Sequence, residues 1–167
     1  MMLLSQAAQV LGGKLVGPDT RFSAVSSDSR AITAGDLFVA LQGPNFDGSA
    51  FVSSAAQGGA VAALVNQGAE VRGLRTEGHE GFAQSSGLSP QFPLLFVEDT
   101  RLALGRLAAH WRAQFAIPTV AVTGSNGKTT VKEMLASILR AAAGSANAVL
   151  ATAGNLNNDI GLPLTLL

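Results

Sequence analysis

One stretch restricts this chain more than any other: Thr119-Val-Ala-Val-Thr-Gly-Ser-Asn-Gly-Lys-Thr-Thr130. A β-branched apolar run stops at Gly124, and Gly127-Lys-Thr-Thr130 opens a helical pattern. Strand, glycine turn and helix in that order form the local context of a phosphate cradle. Gly124 and Gly127 let the backbone approach a ligand closely. The amides of Gly124, Ser125, Asn126, Gly127, Lys128, Thr129 and Thr130 are then placed to hold a polyphosphate, and the helix start adds partial positive charge. Lys128 is the candidate catalytic residue, positioned to reach β- and γ-phosphates, and the Thr129 hydroxyl is the candidate ligand for Mg²⁺. The usual pattern opens on a glycine where this chain has Val122, so the loop is a variant. The plain alternative is a glycine turn between a buried strand and a helix.

Composition narrows the class. Apolar residues make up 47% of the 167 positions and aromatics only 5%, so a core must be built from Ala, Val, Leu and Ile. Eleven basic residues balance 11 acidic ones, which gives no electrostatic case for nucleic acid. Lys14, Lys128 and Lys132 are the only lysines, and one of them falls in the glycine loop. Without cysteine there is neither a disulfide framework nor a thiolate metal site. No run approaches the roughly 18 to 20 apolar residues of a membrane span. A soluble, cytoplasmic protein is expected, with no membrane partner.

The pattern along the chain is α/β. Ser5 is expected to cap a short helix stopped by Gly12-Gly13. Lys14–Val16, Phe22–Val25, Asp36–Leu41, Ala60–Val65 and Leu94–Val97 read as strands. Ser49 to Gln57 reads as a helix with Phe51, Val52, Ala55 and Ala56 on one face. Residues 66–92, rich in Gly, Ser, Gln and Glu, read as a variable insertion with a short strand near Val71. Asp99 or Thr100 is expected to cap a helix running to about Phe115, with Leu104, Ala108, Trp111 and Phe115 buried and Leu102 in the core. Lys128 to Arg140 has the best helical periodicity, and Thr119–Thr123 and Ala148–Thr152 are expected as parallel strands around it.

Three segments together resemble the Mur ligase family of peptidoglycan precursor synthesis. The first is Ser27-Asp-Ser-Arg30 with Gly35-Asp-Leu-Phe-Val-Ala-Leu41 and Phe46-Asp-Gly48. The second is Thr123-Gly-Ser-Asn-Gly-Lys-Thr-Thr130, and the third is Thr152-Ala-Gly-Asn-Leu-Asn-Asn-Asp-Ile-Gly-Leu-Pro-Leu-Thr-Leu-Leu167. Val131-Lys-Glu-Met134 and the Asn-rich third segment resemble the branch that adds D-alanyl-D-alanine. A family histidine after the Phe-Asp-Gly step is replaced by Ser49.

The resemblance implies a small N-terminal α/β domain, 1–92, that binds a UDP-linked muramoyl tripeptide. It is followed by the first part, 93–167, of a parallel-sheet ATP-binding domain. It implies ATP and Mg²⁺, an acyl phosphate made from the peptide carboxylate, and attack by the D-alanyl-D-alanine amine. Substrate contacts are expected at Ser27, Asp28, Ser29, Arg30 and Asp47, and at Asn155, Asn157 and Asn158. On residue types alone, Asp28-Ser-Arg30 also fits a polar turn, Asp47 a helix cap, and the asparagines an Asx turn leading to a helix. Family length implies that further ligands and a C-terminal domain lie past Leu167. The isolated chain is therefore expected to lack activity, and to be loose or self-associating after residue 150, although the full-length family member is expected to be a monomer. Two alternatives stay open: the sibling ligase that adds the third-position amino acid, and a non-catalytic nucleotide- or UDP-sugar-binding module.

Overall fold

The computed structural model describes residues 1–43, 46–69, 92–154 and 156–167. Its centre is a five-stranded sheet in the order β2 (Lys14–Val16), β9 (Leu94–Val97), β8 (Ala62–Asn66), β5 (Asp36–Val39), β4 (Ala24–Ser26). β4, β5, β8 and β9 run parallel, and β2 closes one side antiparallel, with Lys14 opposite Phe96. Two short antiparallel pairs stand apart from it: β1 (Met2–Leu3) with β3 (Arg21–Phe22), and the hairpin of β6 (Gln42–Gly43) with β7 (Phe46–Asp47). This is an α/β fold with a mixed, mostly parallel sheet.

Strand alternation builds two cores. Leu37, Val39, Ala62, Leu64, Leu95 and Val97 face one side, where they meet α1 (Leu4–Leu11) and α3 (Thr100–Arg112). Phe38, Ala40, Ala63, Val65 and Leu94 face the other, against Val52 and Ala55 of α2 (Val52–Gln57). All four β5 residues are buried, as a strand covered on both faces requires. α1 buries Leu4, Ala7 and Leu11, one helical face. Ser5 lies within that helix rather than capping it. Its N–H and hydroxyl both donate to the Asp19 carboxylate, at 2.9 and 2.6 Å.

Several expectations change. The boundary drawn between 92 and 93 falls inside this sheet, because β9 hydrogen-bonds to β8 and β2 and α3 packs on the same core. Asp99 does cap α3, accepting from the N–H groups of Arg101 and Leu102 at 2.7 and 3.0 Å. Leu104 and Ala108 are buried, but Leu102 is 61% exposed. Phe115 lies beyond the helix end, edge-on to Trp111. No strand is assigned at 119–123 or 148–152 among the described residues. An extended segment becomes a strand only through a laddered neighbour, and neither segment has one here.

α4 (Lys128–Ala143) is longer than expected and ends on left-handed Gly144. Its apolar stripe, Val131, Met134, Ile138 and Leu139, is largely exposed. α5 (Gly161–Leu166) packs on α3, and Ile160, Leu164 and Leu167 meet the first core, so Leu164 and Leu167 are better anchored than expected, while Leu162 stays 49% exposed. The expected strand near Val71 lies outside the described residues.

Candidate functional site

β4 is an edge strand beside β5, and the segments that follow these two parallel strands shape a groove. Ligands collect at the carboxyl ends of parallel strands. Ser27, Asp28, Ser29 and Arg30 follow β4 directly. With Phe38, Phe46, Phe51 and Ser54 they line a cavity of about 580 Å³. Four of the residues expected to contact substrate are therefore brought together.

Asp28 and Arg30 form a fork. The Arg30 Nε and one terminal nitrogen donate to the two Asp28 oxygens at 2.9 and 2.8 Å, and the Arg30 backbone N–H adds a bond of 3.0 Å. The Arg30 side-chain bond is the main reason that the Asp28 carboxyl is lowered to about 2, and the Arg30 guanidinium is correspondingly raised. The fork engages two of the five guanidinium N–H groups and leaves the arginine charged at the groove. The turn and the candidate contact therefore coincide in these residues.

Phe46 and Phe51, expected only as part of a motif and of a helix face, both line the groove. Phe46 and Phe51 stack with ring centroids 5.6 Å apart and planes at 16°, yet stay 53% and 41% exposed. Phe51 was expected on a buried helical face. Instead a 3-10 turn, Gly48–Phe51, precedes α2 and turns the ring outward. The available signals were two phenylalanines close together in a chain poor in aromatics and the place of Phe46 in the Phe46-Asp-Gly48 segment. Asp47 is a cap: its carboxylate accepts from the Ser49 N–H at 2.9 Å, and it is not among the residues lining the groove.

The glycine loop is bent. Gly124 has φ 144° and Gly127 φ 75°, and Gly127 is the residue from which α4 starts, accepting the Val131 N–H at 2.9 Å. Left-handed Gly127 turns the chain so that the first helical amides face back over the loop. A side chain at Gly127 would meet no atom within 4 Å, so the space above the turn is open. Lys128 folds over the loop, its ammonium donating to the carbonyls of Gly124 at 2.6 Å and Ser125 at 3.4 Å. Ser125, Asn126, Thr129 and Thr130 are exposed. Thr129 presents a single hard oxygen. No group of three or more His, Cys, Asp or Glu side chains that could hold a metal occurs among the described residues. That donor set fits a cation such as Mg²⁺ whose other ligands are phosphate oxygens and water.

In the Asn-rich segment, the Asn158 side-chain oxygen accepts from the N–H groups of Ile160 at 3.3 Å and Gly161 at 2.7 Å, starting α5. That is the Asx turn weighed against substrate contact. Asn157 is exposed, and Asn155 lies outside the described residues.

A mostly parallel sheet with helices on both faces, followed by a lysine-closed glycine loop at a helix start, defines an α/β protein. The chain belongs to the Mur ligase family: residues 21–112 match the Mur ligase family catalytic domain, and 122–167 match the Mur ligase middle domain. It is 45% identical over 164 residues to the UDP-N-acetylmuramoyl-tripeptide–D-alanyl-D-alanine ligase of Escherichia coli, covering 98% of this chain and 31% of that one. A UDP-N-acetylmuramoylalanyl-D-glutamyl-2,6-diaminopimelate–D-alanyl-D-alanyl ligase structure from Acinetobacter baumannii superposes with a TM-score of 0.71 at 36% identity, over 97% of this chain and 32% of that one. The MurF ligase of Thermotoga maritima in complex with ADP gives a TM-score of 0.59 at 30% identity, over 88% and 29%. The chain thus spans about a third of the length of these relatives.

Proposed function

We propose that this chain is part of an ATP-dependent ligase that joins D-alanyl-D-alanine to a UDP-N-acetylmuramoyl-tripeptide. The observation that carries the proposal is the Gly124–Thr130 loop, bent at two glycines and closed by Lys128 at the start of α4. The two family matches, which divide near residues 112 and 122, support a substrate-binding unit through α3 and an ATP-binding unit beginning after it. The sibling ligase for the third-position amino acid shares the first two motifs, and the run Asn155-Leu-Asn-Asn-Asp-Ile-Gly161 favours D-alanyl-D-alanine.

In this reading the groove of Arg30, Phe46 and Phe51 holds the uridine nucleotide. The aromatic pair offers a flat face to a base, and Arg30 offers charge to a diphosphate. The loop amides and Lys128 bind the ATP polyphosphate and hold its γ-phosphate for attack by the peptide carboxylate. The Thr129 hydroxyl would help to hold Mg²⁺, which when bound neutralises charge on phosphate oxygens. The D-alanyl-D-alanine amine then displaces phosphate from the acyl phosphate and forms the amide. The work is cytoplasmic in this reading; no helix among the described residues is long and apolar enough to cross a membrane.

The test is a Mg·ATP titration of this chain and its Lys128→Ala variant, followed through the loop amides. The variant is expected to bind at least about tenfold more weakly, the effect of losing a charge-assisted contact. Equal affinity overturns the cradle. In the full-length ligase, ADP release that depends on lysine or diaminopimelate rather than on D-alanyl-D-alanine overturns the substrate assignment.

A further inference from the structure

The second lysine of α4 has a different task from the first. Lys132 lies one turn beyond Lys128, on the same side of the helix. Its side chain is only 19% exposed. Its ammonium donates to the carbonyls of Thr152 at 2.5 Å and Gly154 at 3.0 Å, and pairs with the Glu133 carboxylate at 2.8 Å. Three acceptors match the three donors of an ammonium group, so Lys132 is fully committed. Its attraction holds the Glu133 carboxyl below the usual range. At the far end of the same segment, the Arg101 guanidinium reaches out from α3 and grips the Asp159 carboxylate at 2.8 and 3.1 Å. The segment bearing Asn157 and Asn158 is therefore pinned by two cations: one from the helix that starts at the glycine loop, one from the helix packed on the N-terminal sheet.

We infer that Lys132 is a positioning residue that sets the Asn157–Asn158 loop relative to the phosphate cradle. The inference rests on the ligase reading for the loop's substrate role, but the clamp itself does not. Lys128 and Lys132 sit on one rigid helix, so an anion that orders the start of α4 also fixes the carbonyls held one turn later. Removing the ammonium leaves the Thr152 and Gly154 carbonyls without their donor and frees the loop, while the glycine turn keeps its own lysine.

The experiment uses Lys132→Met, Lys132→Gln and Lys132→Arg. In this chain, amide exchange at positions 156–161 is expected to accelerate about tenfold in the Met and Gln variants and to return to near wild type in the Arg variant, which keeps the charge. Amides of β5 and β8 serve as the folding control and should not change. In the full-length ligase, the Met and Gln variants are expected to raise the KM for the UDP-muramoyl tripeptide about tenfold, with the KM for ATP within about twofold. Unchanged exchange at 156–161, or an equal rise in both KM values, overturns the inference, as does failure of Arg to rescue. If the wild-type chain shows no Mg·ATP binding, the cradle reading fails, while the exchange measurement still decides whether Lys132 clamps the loop.

Discussion

Gly48 offers the sharpest test of how the groove is built. It is buried where β7 passes into the 3-10 turn, and its N–H donates to the Leu41 carbonyl at 2.9 Å. It is not among the glycines of positive φ, so alanine at this position meets a problem of contact rather than torsion. An added Cβ would lie 2.7 Å from the Leu41 oxygen and 2.8 Å from both the Ala40 carbonyl carbon and the Leu41 nitrogen. All three are backbone atoms, so no side chain can swing aside. Either the Gly48 turn moves out, losing its hydrogen bond and shifting Phe46 and Phe51, or the end of β5 moves. The second route strains the Ala40 N–H bond to Leu64 and the Thr100 hydroxyl bond to the Ala40 carbonyl. Overpacking of this kind costs about 1–3 kcal/mol, and a weakened backbone hydrogen bond adds about 1 kcal/mol. At about 2–4 °C per kcal/mol for a chain of this size, Gly48→Ala is expected to lower Tm by about 4–16 °C. It should also weaken uridine diphosphate binding measured by calorimetry. Gly43→Ala is the control, since a side chain there meets nothing within 4 Å. A Gly48→Ala protein with wild-type Tm and wild-type nucleotide affinity refutes the argument.

Two further outcomes are expected. Gly105 sits inside α3 with nothing within 4 Å of an added Cβ, so Gly105→Ala should stabilise by about 0.5–1 kcal/mol, read as a higher urea midpoint; a lower midpoint contradicts the packing described for α3. The Asp28 carboxyl, lowered to about 2 by Arg30, favours the folded state fully above the ordinary carboxylate range, and that contribution fades as pH falls from about 4 through 2. An NMR titration should find its midpoint near 2 and find it raised toward 3.8 in Arg30→Gln; an unmoved midpoint rules out the fork.

The parts of this protein that were legible in the sequence are those whose physics is local. The glycine loop is one, because a left-handed Gly127 and a lysine that bonds back four residues need only near neighbours. The helical periodicity of 128–140, the Asp99 cap and the buried run of β5 are others, since each follows from the spacing of apolar and capping residues. The Asp28–Arg30 fork also spans only two positions, so the groove's polar wall could be named in advance.

What required the tertiary structure is whatever depends on a distant partner. Leu94–Val97 reads in the sequence as the first strand of the second unit, but its ladder with β8 and β2 puts it in the N-terminal sheet. Thr119–Thr123 has strand composition but no neighbour to pair with among the described residues, and composition cannot supply one. The outward stack of Phe46 on Phe51 arises because a 3-10 turn replaces the first turn of the helix. Arg101 finds Asp159 across 58 positions, and Lys132 finds Thr152 across 20. The sequence by itself thus determined the bend of the glycine loop, the sheet strands β2, β5, β8 and β9, the helices α3 and α4, and the residues of one wall of the groove. Only the three-dimensional fold decided where the N-terminal sheet ends and which cations hold the Asn-rich loop, because those are set by contacts between segments that no local spacing encodes.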